Sequence, residues 1–162
     1  MNYVEITLPE FDHEMANTRQ VLALVPDDKL AWKPHPTMNT IGWNANHLAE
    51  IPGWVEGTLT GLSWDVAPVD GPRYASPALT STAEILALFD QNVAAARKAL
   101  AEVKEADLGV MWSLLAAGEP LFTIPRYAVI RSFVLSHTVH HRAHLIVSLR
   151  LNNITVPGMY GA

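Results

Sequence analysis

The chain has 162 residues, of which 49% are hydrophobic and 17% are charged. This length suits one domain with a substantial core, so we expect residues 1–162 to form a single domain, and the composition excludes a disordered protein. The net charge of −5 provides no basic surface for phosphates, which argues against a nucleic-acid partner. Because the chain has no cysteine, any metal ion must be bound by His, Asp or Glu, and disulfides are excluded.

The beginning of the chain, MNYVEITLPEFDHEM, has neither a basic segment followed by an apolar run nor a small-residue cleavage site. It therefore does not look like a secretory signal. No stretch approaches the roughly 18 uninterrupted apolar residues that a membrane span requires. We expect a cytoplasmic protein without a membrane partner.

Four segments of the chain have helical periodicity, and strand signals between them are scarce. Connections rich in proline and glycine separate the segments. The connection between the second and third is long enough for a crossover. The pattern predicts an all-α fold whose helices span about residues 8–25, 39–59, 81–103 and 125–151.

Capping and breaking signals refine these helices. Asn39 or Thr40 can cap the second helix, because their side chains accept hydrogen bonds from free N–H groups of the first turn. Pro52 lies inside the same helix and removes one backbone hydrogen bond, so we expect a kink just after His47. A second capping signal, with a glutamate three residues later, stands at Ser81 and predicts the start of the third helix.

The last helix is rich in histidine. At about 100° per residue, His141 lies about 40° from His137 around the helix, and His144 lies about 20° from His137 in the opposite direction. These three histidines share one stripe of the helix, and His140 falls near its margin. An imidazole pair four residues apart on one helical face can chelate one ion. The same stripe carries residues that we expect to face the core: Ile130, Phe133, Val134, Ser148 and Leu151.

A helix-borne pair needs at least a third ligand, and His47 is the natural candidate. It shares a stripe of the second helix with Ile51 and Trp54, so we expect it to point inward. Three neutral imidazoles with open positions form a reactive metal site. Alternatively, His47 is a hydrogen-bonded core residue and the late histidines form a polar seam between subunits. Metal binding is favoured because several buried imidazoles without a partner would be costly.

The roles of the other polar residues near these histidines stay open. Glu50, one turn after His47, orients a ligand, accepts a proton or is simply solvated. Asn44 has the same alternatives, and the general base is unassigned. For His144 we expect either an outer-shell role beside the metal ion or a surface position. We expect surface or interface positions for the other remaining histidines: His13, His35 and His140.

Three stretches of the chain resemble a known family: NTIGWNANHLAEIPGW around His47, LSHTVHHRAHL in the last helix, and NNITVPGMYG at the end. The chain resembles the DinB/YfiT-like superfamily of metal-dependent proteins over nearly its whole length. The late helix of that family typically reads His-x-x-x-His-Arg-(Gly or Ala)-Gln. Here His137, His141, Arg142 and Ala143 match, whereas His144 replaces the usual Gln.

The resemblance implies a four-helix bundle with a long crossover between helices 2 and 3, and frequent homodimers. It also implies that His47, His137 and His141 bind a divalent ion, for which we expect Zn²⁺ or Ni²⁺. Characterised relatives include transferases and isomerases that use low-molecular-weight thiols such as bacillithiol or mycothiol. The leading hypothesis is an enzyme whose metal ion activates such a thiol, or water, toward a small-molecule substrate.

Two alternatives to a thiol-dependent transferase remain open. One is a metal-dependent hydrolase with the same ligands, and the other is a stress-associated module that binds metal or dimerises without catalysis. A homodimer is also expected because Leu135, Ile146 and Leu149 lie away from the histidine stripe. The alternative is that these three residues pack against other helices of their own chain.

Overall fold

The computed structural model describes residues 2–161. Its first helix, α1 (Tyr3–Leu22), begins earlier than predicted because Asn2 and Glu5 form a capping box. The Asn2 side chain accepts a hydrogen bond from the Glu5 N–H, and the Glu5 carboxylate accepts one from the Asn2 N–H, both at 2.9 Å. Pro9 lies inside this helix, which the sequence pattern predicted to begin near residue 8.

The second predicted helix is interrupted where its proline stands. Helix α2 (Ile41–Glu50) is followed by a 3₁₀ turn (Ile51–Gly53) and by α3 (Trp54–Thr60). Thr40 caps α2, since its hydroxyl accepts a hydrogen bond from the Trp43 N–H at 3.0 Å. The capping residue is therefore one of the two that were predicted. The break falls at the end of α2, slightly later than the expected kink.

Helix α4 (Thr82–Glu102) matches the third predicted helix, including the Ser81 cap. A short helix, α5 (Glu105–Leu108), follows it. The fourth predicted helix is one continuous helical stretch with three parts: α6 (Arg126–Val129), a π-helix (Ile130–Ser136) and α7 (His137–Leu151).

The all-α prediction is incomplete, because the mostly helical fold also contains a small sheet. Strand β1 (Ser63–Asp65) pairs in parallel with β2 (Met111–Ala116), which pairs antiparallel with β3 (Glu119–Pro125). Strand β1 is too short for a periodic pattern. The β2–β3 hairpin turns at Ala117 and Gly118, which both have positive φ, and not through an Asn-Gly or Asp-Gly pair.

The long helical stretches pack pairwise around one core. Helix α1 contacts α4 and α7, and α2 contacts the same two helices. Leu135 and Leu149 are 1% and 0% exposed and belong to this core, so they pack within their own chain and give no support to a dimer, which stays a prediction. Within residues 2–161, none of the helices combines the length and apolarity that crossing a membrane requires.

Candidate metal centre

Three histidine side chains from two helices meet at one point. His47 lies on α2, and His137 and His141 lie one turn apart on α7. The Nε2 atoms of His47 and His137 are 2.9 Å apart, and the ring centroid of His141 is 4.6 Å from each of the other two rings. One ring nitrogen from each residue lies within 4.8 Å of the other two.

These separations suit a divalent ion. With Zn–N bonds of about 2.0–2.1 Å, two nitrogens of a tetrahedral site lie about 3.3 Å apart. The spacing of 2.9 Å between His47 and His137 therefore requires only a small adjustment of these two imidazole rings. Three nitrogen donors satisfy part of the coordination of Zn²⁺ or a similar ion and leave a position open.

The tautomer of His47 is set by the Glu50 side chain. Glu50 Oε1 lies 2.6 Å from His47 Nδ1, and a carboxylate accepts hydrogen bonds, so Nδ1 carries the proton and Nε2 keeps its lone pair. The same oxygen accepts hydrogen bonds from the hydroxyls of Tyr74, at 2.5 Å, and Ser76, at 2.6 Å. Burial, followed by the hydrogen bond to Glu50, raises the pKa of Tyr74, which keeps its hydroxyl protonated as a donor.

The tautomer of His141 is set by the Asn44 side chain. Its amide NH₂ donates to the Thr40 carbonyl at 3.1 Å, which turns the amide oxygen toward His141. That oxygen lies 3.2 Å from His141 Nδ1 and accepts its proton, so the Nε2 lone pair of His141 is available to a metal ion. Both residues whose roles the sequence left open, Glu50 and Asn44, therefore orient histidines of the cluster.

The electrostatic environment favours neutral imidazoles. Burial, then the neighbouring His47, lowers the pKa of His137 to about 4. The same causes, with His137 as a further neighbour, lower the pKa of His141 to about 3. Because only the neutral ring offers a lone pair, both side chains are competent metal ligands at neutral pH.

Two of the three histidines border a large cavity of about 830 Å³. His47 and His137 form part of its wall, together with Glu50. The rest of the wall is largely apolar and comes from α3, the crossover that follows it, all three strands and the π-helix. Its aromatic members are Trp54, Trp64, Tyr74, Trp112, Phe122 and Phe133. A substrate in this cavity would lie directly beside the histidine cluster.

Comparison with known proteins agrees with this fold. A family model of the DinB superfamily matches residues 10–145. The chain belongs to the DinB superfamily. Among solved structures, a DinB-like protein from Bacillus cereus is similar, with a TM-score of 0.73 and 24% sequence identity over 94% of this chain and 95% of that one. At this identity the likeness shows the fold alone, and a search of curated proteins finds no significant match.

This DinB-superfamily chain carries a second histidine group on the outer side of α7. His140 and His144 are exposed, and their ring centroids lie 4.4 Å apart. One nitrogen from each of His140, His141 and His144 lies within 4.8 Å of the other two. His141 therefore belongs both to this outer group and to the inner cluster, which it forms with His47 and His137. His13 and His35 are exposed, as predicted.

Several site residues could not be predicted from the sequence. Tyr74 and Ser76 lie in the crossover, which has no periodicity that would mark them as inward-facing. Trp112 and Phe122 lie on strands that the sequence pattern did not reveal. The π-helix before His137 also changes the angular spacing of that stretch. At the other end of the stripe, Leu151 is the last residue of α7 and is 59% exposed, although it was expected to face the core.

Replacing Glu50 with alanine should weaken metal binding about 10- to 100-fold, because His47 would lose the partner that sets its tautomer and ring orientation. The dissociation constant can be measured by competition with a chromophoric chelator. Glu56→Ala provides the control, since Glu56 is exposed on the neighbouring helix α3. Equal metal affinity in the two variants would show that Glu50 does not position His47.

Proposed function

We propose that the protein is a metal-dependent enzyme in which His47, His137 and His141 bind Zn²⁺ or Ni²⁺. The observation that carries this proposal is the convergence of three imidazoles, two of which, those of His47 and His137, line a large and mostly apolar cavity. A bound divalent ion would lower the pKa of a thiol or a water molecule at its open position, so that the nucleophile ionises near neutral pH. The nucleophile then attacks an electrophile held in the cavity.

The residues of the chain have distinct tasks in this reaction. Glu50 and Asn44 hold the ligand rings, and the aromatic wall excludes water from the bound electrophile. In the thiol version, the S–H proton leaves to solvent, a sulfur–carbon bond forms, and the bond to the leaving group breaks. The leaving group departs with the electron pair and takes up a proton. The reaction is a group transfer that needs no oxidant or reductant.

The packing of the bundle supports a catalytic role for the metal ion over a structural one. The buried apolar core is built from residues of all the long helices, so the bundle has an extensive packed interior that does not depend on a metal ion. A structural ion contributes strongly to folding, whereas a catalytic ion on an independently packed bundle can be removed without unfolding. Treatment with a chelator should therefore leave the helical circular dichroism of the protein unchanged.

A screen of small electrophiles, each with and without a low-molecular-weight thiol, tests the reaction. We expect turnover that requires both the thiol and the metal ion and that is absent from His137→Ala. Turnover that requires metal but no thiol would reject the transferase and support hydrolysis by activated water. If no electrophile reacts and chelation unfolds the protein, the metal ion is structural and the proposal of an enzyme fails.

A further inference from the structure

We propose that the cavity beside the histidines binds an uncharged, flat aromatic molecule. In naming the substrate class, this inference rests on the proposed function, although the binding itself does not require the metal ion. The cavity of about 830 Å³ lies within the usual range for small-molecule sites, about 300–1,000 Å³. A substrate of one or two fused rings with a reactive substituent would fit this volume.

The charges around the cavity exclude anionic groups. Among the wall residues that the structure describes, there is no lysine or arginine. Glu50 is the one carboxylate among the described residues of the wall, and it repels anions. Its Oε1 atom already accepts hydrogen bonds from His47, Tyr74 and Ser76. In the metal-free protein, a carboxylate or phosphate in this cavity would lose its hydration without gaining a cationic side chain as a partner, which is costly.

The aromatic side chains of the wall form two groups of ring contacts. In the first, the Trp64 ring lies 6.1 Å from Trp54 and 5.0 Å from Tyr74, edge to face with the tyrosine. In the second, Phe122 and Phe133 stack at 4.6 Å with an angle of 16° between their planes. Faces and edges of this kind favour a flat aromatic ligand over a flexible polar one.

The chemistry of this wall also indicates which of the two reactants, the thiol or the electrophile, occupies the cavity. A thiol that carries several carboxylates or sugar hydroxyls finds no cationic side chain and little polar surface among the described residues of the cavity wall. The apolar cavity is therefore assigned to the electrophile and not to the body of such a thiol. Only the sulfur of the thiol needs to reach the histidine cluster.

Calorimetric titration of metal-free protein with a matched pair of probes tests this inference. The probes are naphthalene-2-methanol, which is uncharged, and 2-naphthoate, which has the same ring system and a negative charge. We expect the uncharged probe to bind at least about tenfold more tightly, because the anion must be desolvated without a partner. Equal or tighter binding of 2-naphthoate, or no binding of either probe to folded protein, would overturn the inference.

Two variants locate the binding. Trp64→Ala removes part of the aromatic wall and should weaken binding of the uncharged probe about tenfold, whereas Leu121→Ala, at a 60% exposed position on β3, should not. Val66→Arg places a cation in the wall and should raise the affinity for 2-naphthoate. If neither Trp64→Ala nor Val66→Arg changes probe binding, the probes bind elsewhere. Metal-dependent turnover is measured separately, so failure of this inference is distinct from failure of the proposed function.

Discussion

His137→Ala should abolish stoichiometric metal in the purified protein. Two imidazoles would remain in the inner cluster, and a site that loses one of three protein ligands loses most of its affinity. His137 is a better choice than His141, because His141 also lies beside the exposed pair His140 and His144. Elemental analysis of protein loaded with Zn²⁺ or Ni²⁺ and then desalted measures the bound metal directly.

His144→Ala is the matched control, since it removes an imidazole from the same helix but not from the inner cluster. It should retain one metal ion per chain. Full metal content in His137→Ala would show that the inner histidines are not the ligands. Loss of metal from His144→Ala, with retention in His137→Ala, would place the ion at the outer histidine group.

The parts of the fold that could be predicted from sequence are those specified by local interactions. The Thr40 and Ser81 caps act within one turn, so their residue types and spacing were sufficient to place the starts of α2 and α4. The strands depend on pairing between distant segments, and β1 joins residues about 50 positions away in β2. Such pairing leaves little trace in a three-residue strand.

The same distinction explains which site residues were found. His137 and His141 were predicted because their spacing of four residues alone puts them on one face of a helix. The roles of Glu50 and Asn44 depend on which atoms approach them from other elements, so the sequence left several alternatives. Ser76 reaches the cluster only because the crossover folds back over α2, and nothing in its local sequence indicates this.

A buried ion pair next to the site gives the second large expected effect. The Arg142 guanidinium, 2% exposed, donates hydrogen bonds to the Glu14 carboxylate, the Thr18 hydroxyl and the Tyr160 hydroxyl. These contacts join α7 to α1 and to the end of the chain. Because Arg142 directly follows His141, these hydrogen bonds also fix the rotation of α7 that points His141 toward His47.

Arg142→Met should lower the free energy of unfolding by about 3–5 kcal/mol, because the Glu14 carboxylate would remain buried without its cationic partner. Urea denaturation followed by circular dichroism measures this change. Arg19→Met is the control: Arg19 pairs with Asp90 at the surface, where both side chains are about half exposed, and its loss should cost less than about 1 kcal/mol. A similar cost in the two variants would contradict the prediction.

The double variant Glu14→Leu/Arg142→Met distinguishes loss of the ion pair from loss of packing. Removing both charges leaves no unpaired carboxylate, and exchange of a buried ion pair for apolar side chains is often nearly neutral. We therefore expect the double variant to be more stable than Arg142→Met alone. If the two are equally unstable, the cost comes from the volume and the other hydrogen bonds of Arg142. In that case the guanidinium positions α7 through packing and through Thr18 and Tyr160, and its charge contributes little.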